Sequence, residues 1–151
     1  MNRKSFLRAA LALPVAGLAG RLLAAATHVQ VYKTATCGCC GQWVAHMKSN
    51  GFDVQFENVP DTAPYRQKYG VPEAMASCHT AVVEGYAIEG HVPAADIQRL
   101  LREKPKAAGL AVPGMVMGSP GMEGSTAQAY SVMLFTADGK TSVWSKYPAK
   151  S

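Results

Sequence analysis

Charge is in short supply. Asp, Glu, Lys and Arg make up only 17% of the 151 residues, against 48% hydrophobic. That balance excludes a disordered chain, which combines low hydrophobicity with high net charge. Acidic residues are missing altogether from positions 1–26, where Arg3, Lys4, Arg8 and Arg21 stand. Without those four, eleven of the fifteen bases face ten acids, so the net charge drops from +5 to +1. The pI near 9.1 is therefore local to the N-terminus, and a nucleic-acid partner loses its support. Long apolar runs are missing too: Ala9–Gly20 spans twelve residues, and a membrane helix needs ~20. There is no internal repeat, no Lys-Ser/Thr of a phosphate loop and no Ser/His/Asp constellation, so no catalytic residue is assigned. What remains has the size of one compact domain.

The N-terminus fits an export signal. A basic stretch, Met1–Arg8, precedes the apolar run, and Ala24-Ala25-Ala26 fits small-residue cleavage with Thr27 as the first mature residue. Asn2–Arg8 resembles a twin-arginine signal with Lys4 at the second arginine, so both the general and the twin-arginine routes stay open, and an uncleaved anchor is the alternative. Residues 1–26 are thus expected as a signal and 27–151 as one exported, periplasmic domain without a membrane span.

Patterning then gives the elements. His28–Thr34 alternates as a strand, and Cys37–Gly41 is a tight turn leading into a helix over Cys40–Ser49 with Trp43, Val44 and Met47 on one face. Phe52–Val59 reads as a second strand and Pro60–Tyr69 as a short helix. Thr80–Glu84 and Tyr86–Glu89 are short strands, and Ala94–Lys104 is a helix with Ile97, Leu100 and Leu101 as its stripe. Residues 107–128 form a Gly/Pro/Met-rich loop. A C-terminal hairpin over 130–147 turns at Asp138-Gly139.

Cysteine is used sparingly and unevenly. Three of the four, Cys37, Cys39 and Cys40, sit within four residues, and Cys78 is the fourth. Adjacent Cys39 and Cys40 cannot comfortably bridge each other, which leaves Cys37–Cys40 as the pair with familiar local geometry. The amides at the helix start favour thiolates there, and thiolates select Cu(I), Zn(II) or iron–sulfur clusters. The C-x-C-C spacing with one distant Cys matches mononuclear zinc poorly and suits a site in which thiolates bridge several metals. Metal binding leads; a disulfide-exchange site, with Cys37 attacking and Cys40 resolving, and a structural Zn or Fe–S module are the alternatives.

The β-α-β-α-β-β-α order over 28–104, with Cys37-Gly38-Cys39-Cys40 between the first strand and first helix, resembles the thioredoxin fold. That fold usually has a cis-proline before its third strand, where this chain has Ser77-Cys78-His79-Thr80. A fourth thiol is expected to face the first three. TCGCCGQW, SCHTAVVEGY, IEGHVPAADI and GLAVPGMVMGSPGME, in that order, resemble the CopG-type periplasmic copper-resistance proteins, long catalogued as a domain of unknown function. The resemblance implies copper handling. The function expected is copper sequestration, transfer or Cu(I)/Cu(II) interconversion in metal resistance, with a metal ion as ligand and another periplasmic copper protein or an efflux system as partner.

Met115, Met117 and Met122 are candidate Cu(I) ligands, since a thioether is soft and cannot form disulfides; the alternative is that they plug onto the core. Met47 belongs in the core, and Met75 fits core or ligand. His79 and His91 are candidate ligands that would also accommodate Cu(II). Strand alternation should send one of Cys78 and His79 toward the cysteine turn and the other away. His91, before a helix start, otherwise serves that helix terminus, and His46 lies two turns from Cys39 on the same helical face.

Overall fold

The computed structural model describes residues 25–150, so the export signal expected over 1–26 falls almost wholly outside the described residues. The elements are β1 (His28–Lys33), α1 (Gly38–Ser49), β2 (Asp53–Asn58), α2 (Ala63–Lys68), β3 (His79–Val83), β4 (Tyr86–Glu89), α3 (Ala94–Glu103), β5 (Gly109–Ala111), β6 (Tyr130–Phe135) and β7 (Thr141–Tyr147). The expected β-α-β-α-β-β-α order is present, and a short 3-10 turn over Glu73–Met75 is added. The fold is mixed α/β, built on one seven-stranded sheet in the order β2-β1-β3-β4-β5-β6-β7. β1 lies parallel to β2 and antiparallel to β3, and β4 lies parallel to β5 across the α3 connection.

Two expectations need correction. The stretch from 107 to 128 is not all loop, because β5 lies inside it. Its glycine marks a close approach rather than a flexible segment: a Cβ at Gly109 would collide with the Ala87 carbonyl of β4. The Cys37–Gly41 turn is also absorbed into α1, which begins at Gly38 with Cys37 at its N-cap position. The C-terminal hairpin forms as expected and extends the sheet.

Alternation and helical spacing explain the core. Val29 and Val31 of β1, with Trp43, Val44 and Met47 of α1, meet Ile97 and Leu100 of α3 on one face of the sheet. On the other face Val71, Ala87, Ala111 and Phe135 form a smaller cluster, with Met75 packed against it. The hairpin is tied to α3 by a buried carboxylate. Asp96 accepts hydrogen bonds from the Tyr147 hydroxyl at 2.5 Å and from the Ser145 hydroxyl. Arg99 stacks 3.9 Å over the Trp144 ring.

This topology brings four segments to one end of the sheet. β1 ends there and delivers Cys37 and α1. β3 begins there, with His79 paired in register to Lys33. β4 ends there and delivers His91, and the loop after β5 returns there through Pro120 and Gly121. Chain ends of neighbouring strands are the usual place for a site in an open α/β sheet. Among the described residues no helix is long and apolar enough to cross a membrane.

Candidate metal centre

The sulfurs converge. Cys37 and Cys40 form a disulfide, with Cα atoms 5.4 Å apart, while Cys39 and Cys78 are free. The Cys39 Sγ lies 3.5 Å from the Cys37 Sγ. The sulfurs of Cys37, Cys39, Cys40 and Cys78 all lie within 4.8 Å of one another. Cys40 is fully buried, whereas Cys37, Cys39 and Cys78 are half-buried, so the cluster has an inner wall and an open side.

Two imidazoles extend the cluster through Cys78. The His91 Nε2 lies 3.0 Å from the Cys78 Sγ, and the His79 Nδ1 lies 3.4 Å from it. His91 Nδ1 donates to the Pro120 carbonyl at 2.7 Å. That bond leaves Nε2 bare and aimed at the sulfur, the arrangement in which a metal-binding imidazole is held by its second nitrogen. His79 is fully buried against the Trp43 ring, and its Nε2 has no partner among the described residues. Cys78 and His79 do not diverge as strand alternation suggested. Cys78 precedes β3, so the pleat does not govern it, and both side chains reach the site.

His91 does not cap α3. The α3 terminus is served by His46, whose Nε2 accepts from the Ala94 N–H at 3.1 Å. His46 is thereby turned away from a ligand role. Trp43 donates from Nε1 to the Val92 carbonyl at 2.8 Å and fixes the segment that carries His91.

Burial sets the electrostatics. It pushes the Cys78 thiol up to about 12, with Cys39 beside it adding to the shift. At neutral pH Cys78 is therefore a thiol, and a metal taking its place must displace a proton. Burial lowers His79 to about 3, with smaller contributions from His91 and Lys33, and burial lowers His91 as well. Glu89 moves the other way, raised by burial to about 7. Both histidines are thus disfavoured as cations in the fold, whereas an unfolded chain protonates them near pH 6.5. The His79 contribution to stability is complete above 6.5 and is lost as pH falls toward about 3, and the His91 contribution is likewise lost as pH falls below 6.5. Glu89 contributes the opposite way: it takes up its proton between about 7 and 4.5 in the fold and offsets one histidine there. His46 is lowered by burial too, so the metal-free protein should lose stability as pH falls below 6.5, less steeply down to 4.5, where Glu89 offsets one proton, than below it, by about 1.4 kcal/mol per pH unit for each uncompensated proton. Thermal melts across that range check the break in slope.

The methionines are placed differently from the sulfurs of cysteine. Met115 is 57% exposed and Met117 38% exposed, and Met122 is half-buried. The loop's apolar plug is Val116, which packs against the main core. Met115 and Met117 are therefore not core filler. Met47 is core, as expected.

Three contributors escaped the sequence reading. Glu89 stands beneath the Cys78 turn, and its only signal was an acid inside an apolar strand. Ser77 donates to the Gly114 carbonyl. Gly121, at φ +87°, seats the loop on the centre: a Cβ there would lie 2.8 Å from the Trp43 nitrogen and 2.9 Å from the Cys39 carbonyl. Gly121→Ala is expected to cost about 1–2 kcal/mol from its left-handed backbone alone, and more from those contacts. A lowered urea midpoint with an unchanged slope would report it.

The donor set fits a soft metal. It offers two free thiols, two more on reduction, and an imidazole nitrogen held in one tautomer. The family described as "Protein of unknown function, DUF411" matches residues 75–122, the segment that runs from the Cys78 turn through His91 to the methionine loop. No curated protein sequence matches the chain. Two solved structures of copper resistance protein copG, its forms 2 and 1, are each 46% identical to it, with TM-scores of 0.78 and 0.77. Each alignment covers 82% of this chain, and 99% and 98% of theirs. With nearly the whole of a relative matched at that identity, the chain belongs to the CopG family of copper-resistance proteins.

Proposed function

We propose that the protein is an exported copper-binding protein of metal resistance. Its cargo is held by Cys37, Cys39, Cys40 and Cys78 with His91 and His79 in support. The observation that carries this reading is the convergence of four sulfurs within 4.8 Å, backed by an imidazole whose Nδ1 is already committed. Thiolates at that spacing favour Cu(I) and can be shared between ions, and imidazole nitrogen would also accommodate Cu(II). The basic, apolar N-terminus and its Ala24-Ala25-Ala26 site support periplasmic delivery. A thioredoxin-like ancestry is supported by the element order and by the cysteine pair at the start of α1. Met115 and Met117, exposed thioethers on the loop after β5, suit the passing of Cu(I) to or from another periplasmic copper protein or an efflux system.

Anaerobic titration of the reduced protein with Cu(I) against a competing chelator tests the reading. More than one copper per chain, held well above zinc, is expected. Saturation at one zinc with no preference for copper would remove it. The methionine loop has its own test. Met→Leu swaps usually cost under ~1.5 kcal/mol even in packed cores, so the triple Met115/Met117/Met122→Leu variant should fold. It should lose copper transfer to an acceptor while its melting curve stays close to the parent's. Unchanged transfer would confine the site to cysteine and histidine.

A second reading is thiol–disulfide exchange, favoured by the Cys37–Cys40 disulfide itself and by Cys39 lying 3.5 Å from Cys37. Disulfide-reductase activity retained after Cys78→Ser would favour it.

A further inference from the structure

Glu89 is completely buried in β4, and among the described residues no cation lies within ion-pair distance of it. Arg66 acts on it only from beyond that distance, and a buried carboxylate without an ion-pair partner is costly, so its hydrogen bonds matter. Oε1 accepts from the Ser77 N–H at 2.7 Å, and Oε2 accepts from the Thr80 hydroxyl at 2.7 Å. Those two donors bracket Cys78 and His79. The neighbouring Gly90 completes the clasp. Its N–H donates to the His79 carbonyl at 3.0 Å, and a Cβ there would collide with Ser77. The other side of the turn is held by the Gly114 N–H on the Ala76 carbonyl and by the Ser77 hydroxyl on the Gly114 carbonyl. No cis peptide shapes the segment. The conformation of the Ser77–Thr80 turn therefore rests on side-chain and backbone hydrogen bonds, with one carboxylate gripping both ends.

We propose that Glu89 is a positioning residue of the sulfur centre: by holding the Ser77 N–H and the Thr80 hydroxyl together, it fixes the turn that presents the Cys78 Sγ to His91 and to the other three sulfurs. An apolar residue of similar size would fill the same space but leave the Ser77 N–H unpaired. The geometric part stands without copper, and the effect on copper rests on the function proposed above.

Four variants and two readouts test it. The readouts are the alkylation rates of Cys78 and Cys39 in the reduced, folded protein, resolved by mass spectrometry, and the Cu(I) affinity of the same preparation. In Glu89→Ala an unpaired buried donor releases the turn, and Cys78 should alkylate about tenfold faster or more, with Cys39 unchanged. Cu(I) affinity should fall roughly 10- to 100-fold, as for other outer partners of metal ligands. Glu89→Gln still offers an oxygen to Ser77 and an N–H₂ to Thr80, so it should restore both readouts. Asp96→Ala loosens the remote hairpin and should leave Cys78 unchanged. An unchanged Cys78 rate in folded Glu89→Ala, or the same rise in Asp96→Ala, overturns the proposal. Should Glu89→Ala fail to fold, Thr80→Val removes one end of the grip, and an unaltered Cys78 rate there overturns it equally. A wild-type protein that takes up no copper, yet has the expected alkylation pattern, removes the copper reading and upholds the positioning role.

Discussion

Reducing the Cys37–Cys40 disulfide should raise the Cu(I) capacity of the protein from at most one ion per chain to more than one. In the disulfide form the free sulfurs are Cys39 and Cys78, joined by the His91 Nε2 3.0 Å from Cys78. Three donors of that kind satisfy a single soft ion. Reduction frees two further sulfurs inside the same 4.8 Å group, and thiolates shared between ions then become available. Titration with Cu(I) under nitrogen, with and without prior reduction of the same sample, reads the stoichiometry directly. Equal capacity in both forms would mean that Cys37 and Cys40 do not hold copper.

Cys78→Ser should lower Cu(I) affinity by at least about 100-fold, beyond the roughly 10–100-fold typical of outer partners. Cys78 is the one residue shared by the four-sulfur group and by the Cys78–His79–His91 group. Serine keeps the shape and the contact to His91 but replaces a soft donor with a hard one. The Cys37–Cys40 pair is untouched, so the disulfide should still form and thiol exchange should change little. Copper affinity that survives the substitution, with Cys37→Ser and Cys40→Ser abolishing a reductase activity, would reverse the order of the two functional readings.

The parts of the fold that obey a period were readable in advance. β1 and β2 alternate in sequence, α1 and α3 carry stripes at helical spacing, and the C-terminal hairpin is marked by its Asp138-Gly139 turn, so their positions followed from patterning. β5 did not, because three residues, Gly-Leu-Ala, are too few to display alternation, and its glycine answers to a neighbouring backbone. The four cysteines announced themselves by chemistry and spacing, and their convergence was expected. His91 was harder to place. Its partner nitrogen is fixed by the Pro120 carbonyl, 29 residues away, and no local pattern encodes a contact of that range. His46 shows the same limit from the other side: helical spacing pointed it toward Cys39, but packing of α1 on α3 gave it to the Ala94 N–H. Glu89 is the clearest case, since only the assembled turn explains an acid in an apolar strand.

The ring closed by the Cys37–Cys40 disulfide is short: the cysteines are three positions apart. Cross-links stabilise folds mainly by restricting the unfolded chain, and that restriction grows with the length of the loop they close. A loop of this size removes about 2 kcal/mol of chain entropy, against nearly 5 for one of a hundred residues. The helix α1 is meanwhile anchored along its length by Trp43 and Met47, both fully buried. Opening the disulfide should therefore cost the fold about 2 kcal/mol, less than half of what a long-range cross-link would contribute. Reduction of this pair is in that sense expected to be only weakly coupled to global unfolding.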